Sequence, residues 1–139
     1  MNDKTLHAEI VRLRTTGRVH CGIISTNNII DIANAFGLST DSKTYNEIDA
    51  ETACHILTEI LHSDLAYNSE IMPLQKAAEL ASRFLKQYPE RDCRFFTNGS
   101  LFLKANVKSW NPATDATFDT GVIVLGPNNS GCLWVEDED

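Results

Sequence analysis

Past Pro89 the hydrophobic period of this chain changes from helical to strand-like, and that change constrains the fold more than any other feature. Before Pro89 apolar residues recur mostly at helical spacing; after it they alternate or run together, as in strands. An order with helices first and strands last argues against an alternating parallel sheet. The expected class is α+β, with about four N-terminal helices packed on one face of a mainly antiparallel sheet formed by C-terminal hairpins.

The first helix is expected from Lys4 to Thr16, with Leu6, Ile10, Leu13 and Val11 as its apolar positions, Asp3 as cap and Gly17 as stop. Arg18 to Ser25 reads as a short strand whose place in the sheet the pattern leaves open. A second helix, capped by Ser25 or Thr26, carries Ile29, Ile32, Ala33 and Phe36 and stops at Gly37. Residues 38–47 are polar and turn-rich, hence a loop. Asp49 caps a third helix striped by Ala53, Ile56, Leu57, Ile60, Leu61 and Leu65. A fourth is entered at Pro73, striped by Leu74, Ala77, Ala78, Ala81, Phe84, Leu85 and Tyr88, and ended by Pro89. Beyond it, Arg94–Thr97 is expected to pair with Ser100–Leu103 across Asn98-Gly99, the preferred dipeptide of a type I′ hairpin. Thr117–Leu125 and Cys132–Val135 form a second hairpin across the turn-forming residues 126–131.

With 139 residues, 42% of them hydrophobic, the chain reads as one domain spanning 1–139 with a short acidic C-terminal end. It contains no apolar run suited to a signal peptide or a membrane span, so a cytoplasmic location without membrane contact is the expectation. Cys21, Cys54, Cys93 and Cys132 are too widely spaced for a zinc knuckle or a dense disulfide framework, and read as reduced, mostly buried thiols. A net charge of −7 argues against direct nucleic-acid binding, which needs a concentrated Lys/Arg surface.

Several segments carry residues suited to chemistry. Phe118-Asp119-Thr120-Gly121-Val122-Ile123-Val124 resembles the Asp-Thr-Gly signature of aspartic proteases, in which two facing carboxylates share a proton. The chain departs from that family in its helical first half and in how little follows Gly121, and a Gly-relieved bend entering a buried strand is the competing reading. Glu59-Ile60-Leu61-His62 matches half of a di-metal helix motif, with no second copy. His20-Cys21 and Cys54-His55 are adjacent pairs whose side chains diverge, so thiol chemistry requires cross-pairing of Cys21 with His55 or Cys54 with His20. No phosphate-binding glycine loop is present, and neither a metal nor a cofactor is expected.

These observations lead to a small acidic binding protein without catalysis, of the inhibitor or immunity type, that neutralises a basic partner such as a nuclease toxin. The expected contacts are Asp115, Asp119, Trp134, Glu136, Asp137, Glu138 and Asp139, with Asp41 and Glu47 as a second patch. Trp110 is a further candidate binding anchor. Neutralising residues 136–139 is then expected to slow association while leaving folding nearly unchanged. The alternative is a small hydrolase or thiol enzyme using Asp119 or a Cys/His pair. A homodimer that buries a helix stripe is a third reading the sequence leaves open.

Overall fold

The computed structural model describes residues 4–99 and 111–138. Its elements run α1 (Lys4–Leu13), β1 (Arg18–Ile24), α2 (Ile29–Ala35), a 3-10 turn (Ser42–Thr44), β2 (Asn46–Ile48), α3 (Ala50–His62), α4 (Leu74–Leu85), a second 3-10 turn (Glu90–Asp92), β3 (Arg94–Thr97), β4 (Phe118–Leu125) and β5 (Ser130–Asp137). The class is α+β, with a five-stranded antiparallel sheet in the order β1-β5-β4-β3-β2. Arg18 to Ile24 joins that sheet as an edge strand along β5.

β4 and β5 lie in the middle of the sheet because their runs Val122-Ile123-Val124 and Cys132-Leu133-Trp134-Val135 are apolar on both faces. One face, with Val122, Val124, Leu133 and Val135, is covered by α1, α3 and α4 through residues such as Leu6, Ile10, Leu57, Leu61, Leu80 and Phe84. The other face, with Ile123, Cys132 and Trp134, is covered by α2 together with Leu38, Tyr45 and Ala113. The expected single helical layer therefore holds for three helices, and α2 packs on the reverse side. Both faces of β5 are therefore covered.

Local chemistry explains most boundaries. Asp49 Oδ1 accepts from Thr52 N–H at 2.8 Å and caps α3 as the sequence implies. The cap of α2 is Asn28 rather than Ser25 or Thr26: its Oδ1 accepts from Ile30 N–H at 2.8 Å, while Thr26 Oγ1 supports it by accepting from Asn28 N–H. Gly37, at φ +73, ends that helix in the left-handed region. In α4 the buried stripe is Ala77, Leu80, Ala81 and Phe84, so it is rotated from the expected one and leaves Leu74 exposed. The presumed loop 38–47 contributes the start of β2, which pairs with β3.

The hairpin expected at Asn98-Gly99 is not formed as proposed. Both edges of β3 are occupied, by β2 and by β4, and Ser100–Leu103 lies outside the described residues. Asn68 is the one described non-glycine residue with positive φ, so Asn98 lacks the backbone a type I′ turn requires. Its side chain is buried instead, donating from Nδ2 to Asn111 O and Asp119 O and accepting at Oδ1 from Thr120 Oγ1. No described helix is long and apolar enough to cross a membrane.

Candidate functional site

The acidic end of β5 is divided by strand alternation, which sends successive carboxylates into different environments. Asp137 points into the helix layer, where its two oxygens meet Arg14 at 3.0 and 2.8 Å in a bidentate pair. Both side chains are sealed from solvent, at 0% and 1% exposure. Asp137 Oδ2 also accepts from Leu65 N–H at 2.8 Å, and Arg14 donates further to Ile60 O and Thr16 O. The pair thus ties β5 to the ends of α1 and α3. Asp137 is a structural residue and not the partner contact expected of it.

Glu136 turns to the α2 face and accepts from His20 Nε2 at 2.5 Å, both side chains half-buried. Glu138 is exposed, and its Oε1 accepts from Thr117 N–H and Thr117 Oγ1. Asp139 lies outside the described residues.

Asp119 and Trp134 are likewise corrected from contact residues to buried ones, both fully inaccessible. Asp119 Oδ1 accepts from Trp134 Nε1 and Asn98 Nδ2, each at 3.0 Å, and from Ala113 N–H at 3.1 Å. Its Oδ2 accepts from Thr114 N–H at 3.2 Å and Thr114 Oγ1 at 3.1 Å. Burial raises the carboxyl above its ordinary value, and the donors from Trp134, Ala113 and Thr114 oppose that rise. The carboxylate is a knot that fastens the 113–117 segment to the sheet, with Trp134 wedged edge-on against Tyr45 at 5.9 Å. The rest of the Asp-Thr-Gly motif is spent the same way: Thr120 bonds Asn98, and Gly121 O accepts from Thr97 Oγ1 at 2.7 Å. No water-activating geometry is open at Asp119, which removes the reason for the protease resemblance.

What remains on the surface is an open cleft between the 37–40 and 112–115 segments, lined by Arg18, Ser39, Thr40, Thr114, Asp115 and Glu136 among others. Asp115 is exposed on one rim, and Glu138 is joined to Thr117 just beyond it. The second expected patch is partly neutralised. Glu47 is bidentate to Arg94 at 3.1 and 2.8 Å, which lowers its carboxyl, and Asp41 Oδ1 accepts from Lys43 N–H in the 3-10 turn. The sequence reading missed Arg14 and His20 as partners of the terminal carboxylates. The alternation of β1 was a usable signal for His20, which the ladder sets opposite Trp134 and so on the face of Glu136.

The Cys/His cross-pairs do not assemble. His20 and Cys21 lie on opposite faces of β1, His20 with Glu136 and Cys21 with the helix-side core, so Cys54 on α3 cannot reach His20. His55 is exposed, whereas Cys21 is largely buried and burial pushes its thiol up to about 12. Cys132 is fully buried and pushed up for the same reason. His62, from the half di-metal motif, donates from Nδ1 to Met72 O at 2.8 Å. Among the described residues there is no group of three or more His, Cys, Asp and Glu placed to hold a metal ion. Trp110, the other candidate aromatic anchor, lies outside the described residues. Comparison with protein-family models, with curated proteins and with solved structures found no match to this chain.

Proposed function

We propose that this chain is a small acidic binding protein without catalysis, of the inhibitor or immunity type, acting in the cytoplasm on a basic partner such as a nuclease toxin. The observation that supports this reading is the carboxylate cleft: Asp115 and Glu136 line it, and Glu138 stands beyond its rim on a chain of net charge −7. A cleft of this kind accepts a Lys or Arg side chain of the partner, and the net charge steers encounter over a longer range. Arg18, which also lines the cleft, orients the approach by repelling a cation from its side. The contact set is accordingly Asp115, Glu136 and Glu138, with Asp119, Trp134 and Asp137 serving to hold the segments that present them.

The test immobilises the wild-type chain and the Asp115→Asn/Glu138→Gln variant and exposes both to native lysate at low and high salt. Both substitutions lie on exposed positions and leave the described cores intact. The expected result is a basic protein held by the wild type, released by salt, and associating about tenfold more slowly with the variant. If that protein is a nuclease, equimolar wild-type chain suppresses its cleavage of plasmid DNA. Equal capture by both chains at both salts refutes the proposal.

A further inference from the structure

β1 is an outer strand of the sheet, paired with β5 along one side only. Its seven residues all stand in register with β5, with no bulge, and include neither Pro nor Lys. Among the described residues, no main-chain hydrogen bond outside that ladder uses an N–H or C=O of residues 18–24. Sheets ordinarily blunt so long an edge with charge, proline or a bulge, and the only Lys or Arg of β1 is Arg18, at its first position. The opposite edge of the sheet is blunted by length alone, because β2 has three residues.

An open row of main-chain donors and acceptors is matched by another strand, and the side chains of β1 indicate which one. Antiparallel pairing with β1 of a second copy, about a two-fold axis at Cys21, sets Val19 opposite Ile23, His20 opposite Gly22 and Arg18 opposite Ile24. Each pair shares a face: Val19, Cys21 and Ile23 pack with the three-helix layer, while Ile24 packs on the α2 side and Gly22 lies under Phe36. An axis perpendicular to the sheet keeps both α2 helices on one side of it.

Charge is complementary in the same register. Arg18 is exposed and, opposite Glu136 in the ladder, projects on the α2 face. Asp31 is exposed in the first turn of α2, and its Oδ2 accepts from Thr26 Oγ1 at 2.9 Å, which holds the carboxylate just past the end of β1. The register carries Arg18 of one copy to that end of the other, and the two-fold axis makes the contact twice.

We infer that two copies of this chain join their β1 edges into one continuous antiparallel sheet, clamped at both ends by Arg18 and Asp31 of opposite copies. Growth stops at the dimer, since each copy then presents only the short β2 edge. Arg18 also lines the carboxylate cleft, so its contact with Asp31 offsets the cation there; the pairing itself does not require the proposed partner.

The full chain is followed by sedimentation velocity up to about 1 mM, where even a weak specific pairing is populated. A monomer–dimer equilibrium is expected, with hydrogen exchange at residues 18–24 slowing as the dimer forms. Arg18→Glu and Asp31→Arg each set like charges together twice and should each weaken the dimer about tenfold or more. Both positions are exposed, and the melting temperature of each variant in dilute solution confirms that it is folded. Mixing the two variants in equal amounts restores opposite charges at both contacts and should return the dimer to near wild-type affinity. A structural role for either residue within one copy would show no such recovery. The inference is overturned by a wild type that stays monomeric, by growth beyond the dimer, or by exchange at β1 that ignores concentration. It is equally overturned if either variant dimerises like the wild type or if the mixture does not recover.

Discussion

Asp137→Asn is the substitution whose effect differs most between a tail that binds and a tail that folds. If residues 136–139 only decorate the surface, the change alters association and nothing else. In the structure it removes the charge that meets Arg14 through two bonds of 3.0 and 2.8 Å in a site closed to solvent. It also weakens the acceptor for Leu65 N–H. Breaking one side of a buried ion pair leaves the other charge uncompensated, at a cost of about 3–5 kcal/mol. Against a typical total stability of about 5–15 kcal/mol, that is a large share. For a chain of 139 residues, at about 3 °C per kcal/mol, the melting temperature should fall by roughly 10–15 °C. Urea and thermal unfolding followed by circular dichroism measure it directly. Adding Arg14→Met to Asp137→Asn should recover part of the loss, because the orphaned guanidinium goes with it. A loss under about 1 kcal/mol, or full additivity of the two substitutions, would refute the reasoning.

Gly121→Ala places a methyl group against Leu133 O and within 2.6 Å of Trp134 Cα, both backbone atoms of the paired strand. It should cost about 2–3 kcal/mol and reduce hydrogen-exchange protection along β4 and β5; wild-type protection would contradict the register. Asp119 and Glu9 should respond to pH in opposite senses. Burial raises the Asp119 carboxyl above 3.8, so the native state holds its proton more tightly than the unfolded chain. The contribution of Asp119 to stability therefore falls as pH rises from that value through the raised native one. Glu9 is lowered from 4.5, chiefly by its hydrogen bond to Lys76 and further by Arg83. Its contribution is present above 4.5 and is lost as pH falls through the lowered native value. Comparing the pH dependence of unfolding in wild type, Asp119→Asn and Glu9→Gln checks both signs. Finally, native Cys132 should resist iodoacetamide at pH 7 and Cys21 should react slowly, with both becoming reactive in urea. Rapid native labelling of Cys132 would contradict its burial between sheet and α2.

The helices and the β4–β5 hairpin were legible in the sequence because each is written in local terms: a cap at Asp49, a stop at Gly37, a proline entry at Pro73, and turn formers between two apolar runs. The errors came where a local signal was overruled at long range. Asn98-Gly99 carries the preferred hairpin dipeptide, yet β2, delivered from residues 46–48, already fills the β3 edge the turn would have used. α2 is an ordinary short amphipathic helix, and nothing in its own residues says which face of the sheet it covers. Its position on the reverse side converts a half-exposed sheet face into a second core around Trp134.

The same logic decides the fate of the terminal carboxylates, on which any functional reading depends. Glu136, Asp137 and Glu138 look equivalent as a sequence of charges, but alternation alone sends Asp137 to the helix side and its neighbours elsewhere. Whether a buried carboxylate is tolerated there depends on Arg14, far away in sequence at the end of α1, whose guanidinium offers the matching fork. Without that partner Asp137 would be driven to the surface and the acidic end would be a continuous patch. With it, surface charge is left to Asp115, Glu136 and Glu138, of which Glu136 is already engaged by His20. Binding at this end therefore rests on fewer carboxylates than composition suggests. Asp115→Asn should slow association with a basic partner more than Glu136→Gln does, because Asp115 makes no internal bond that has to be broken first among those described.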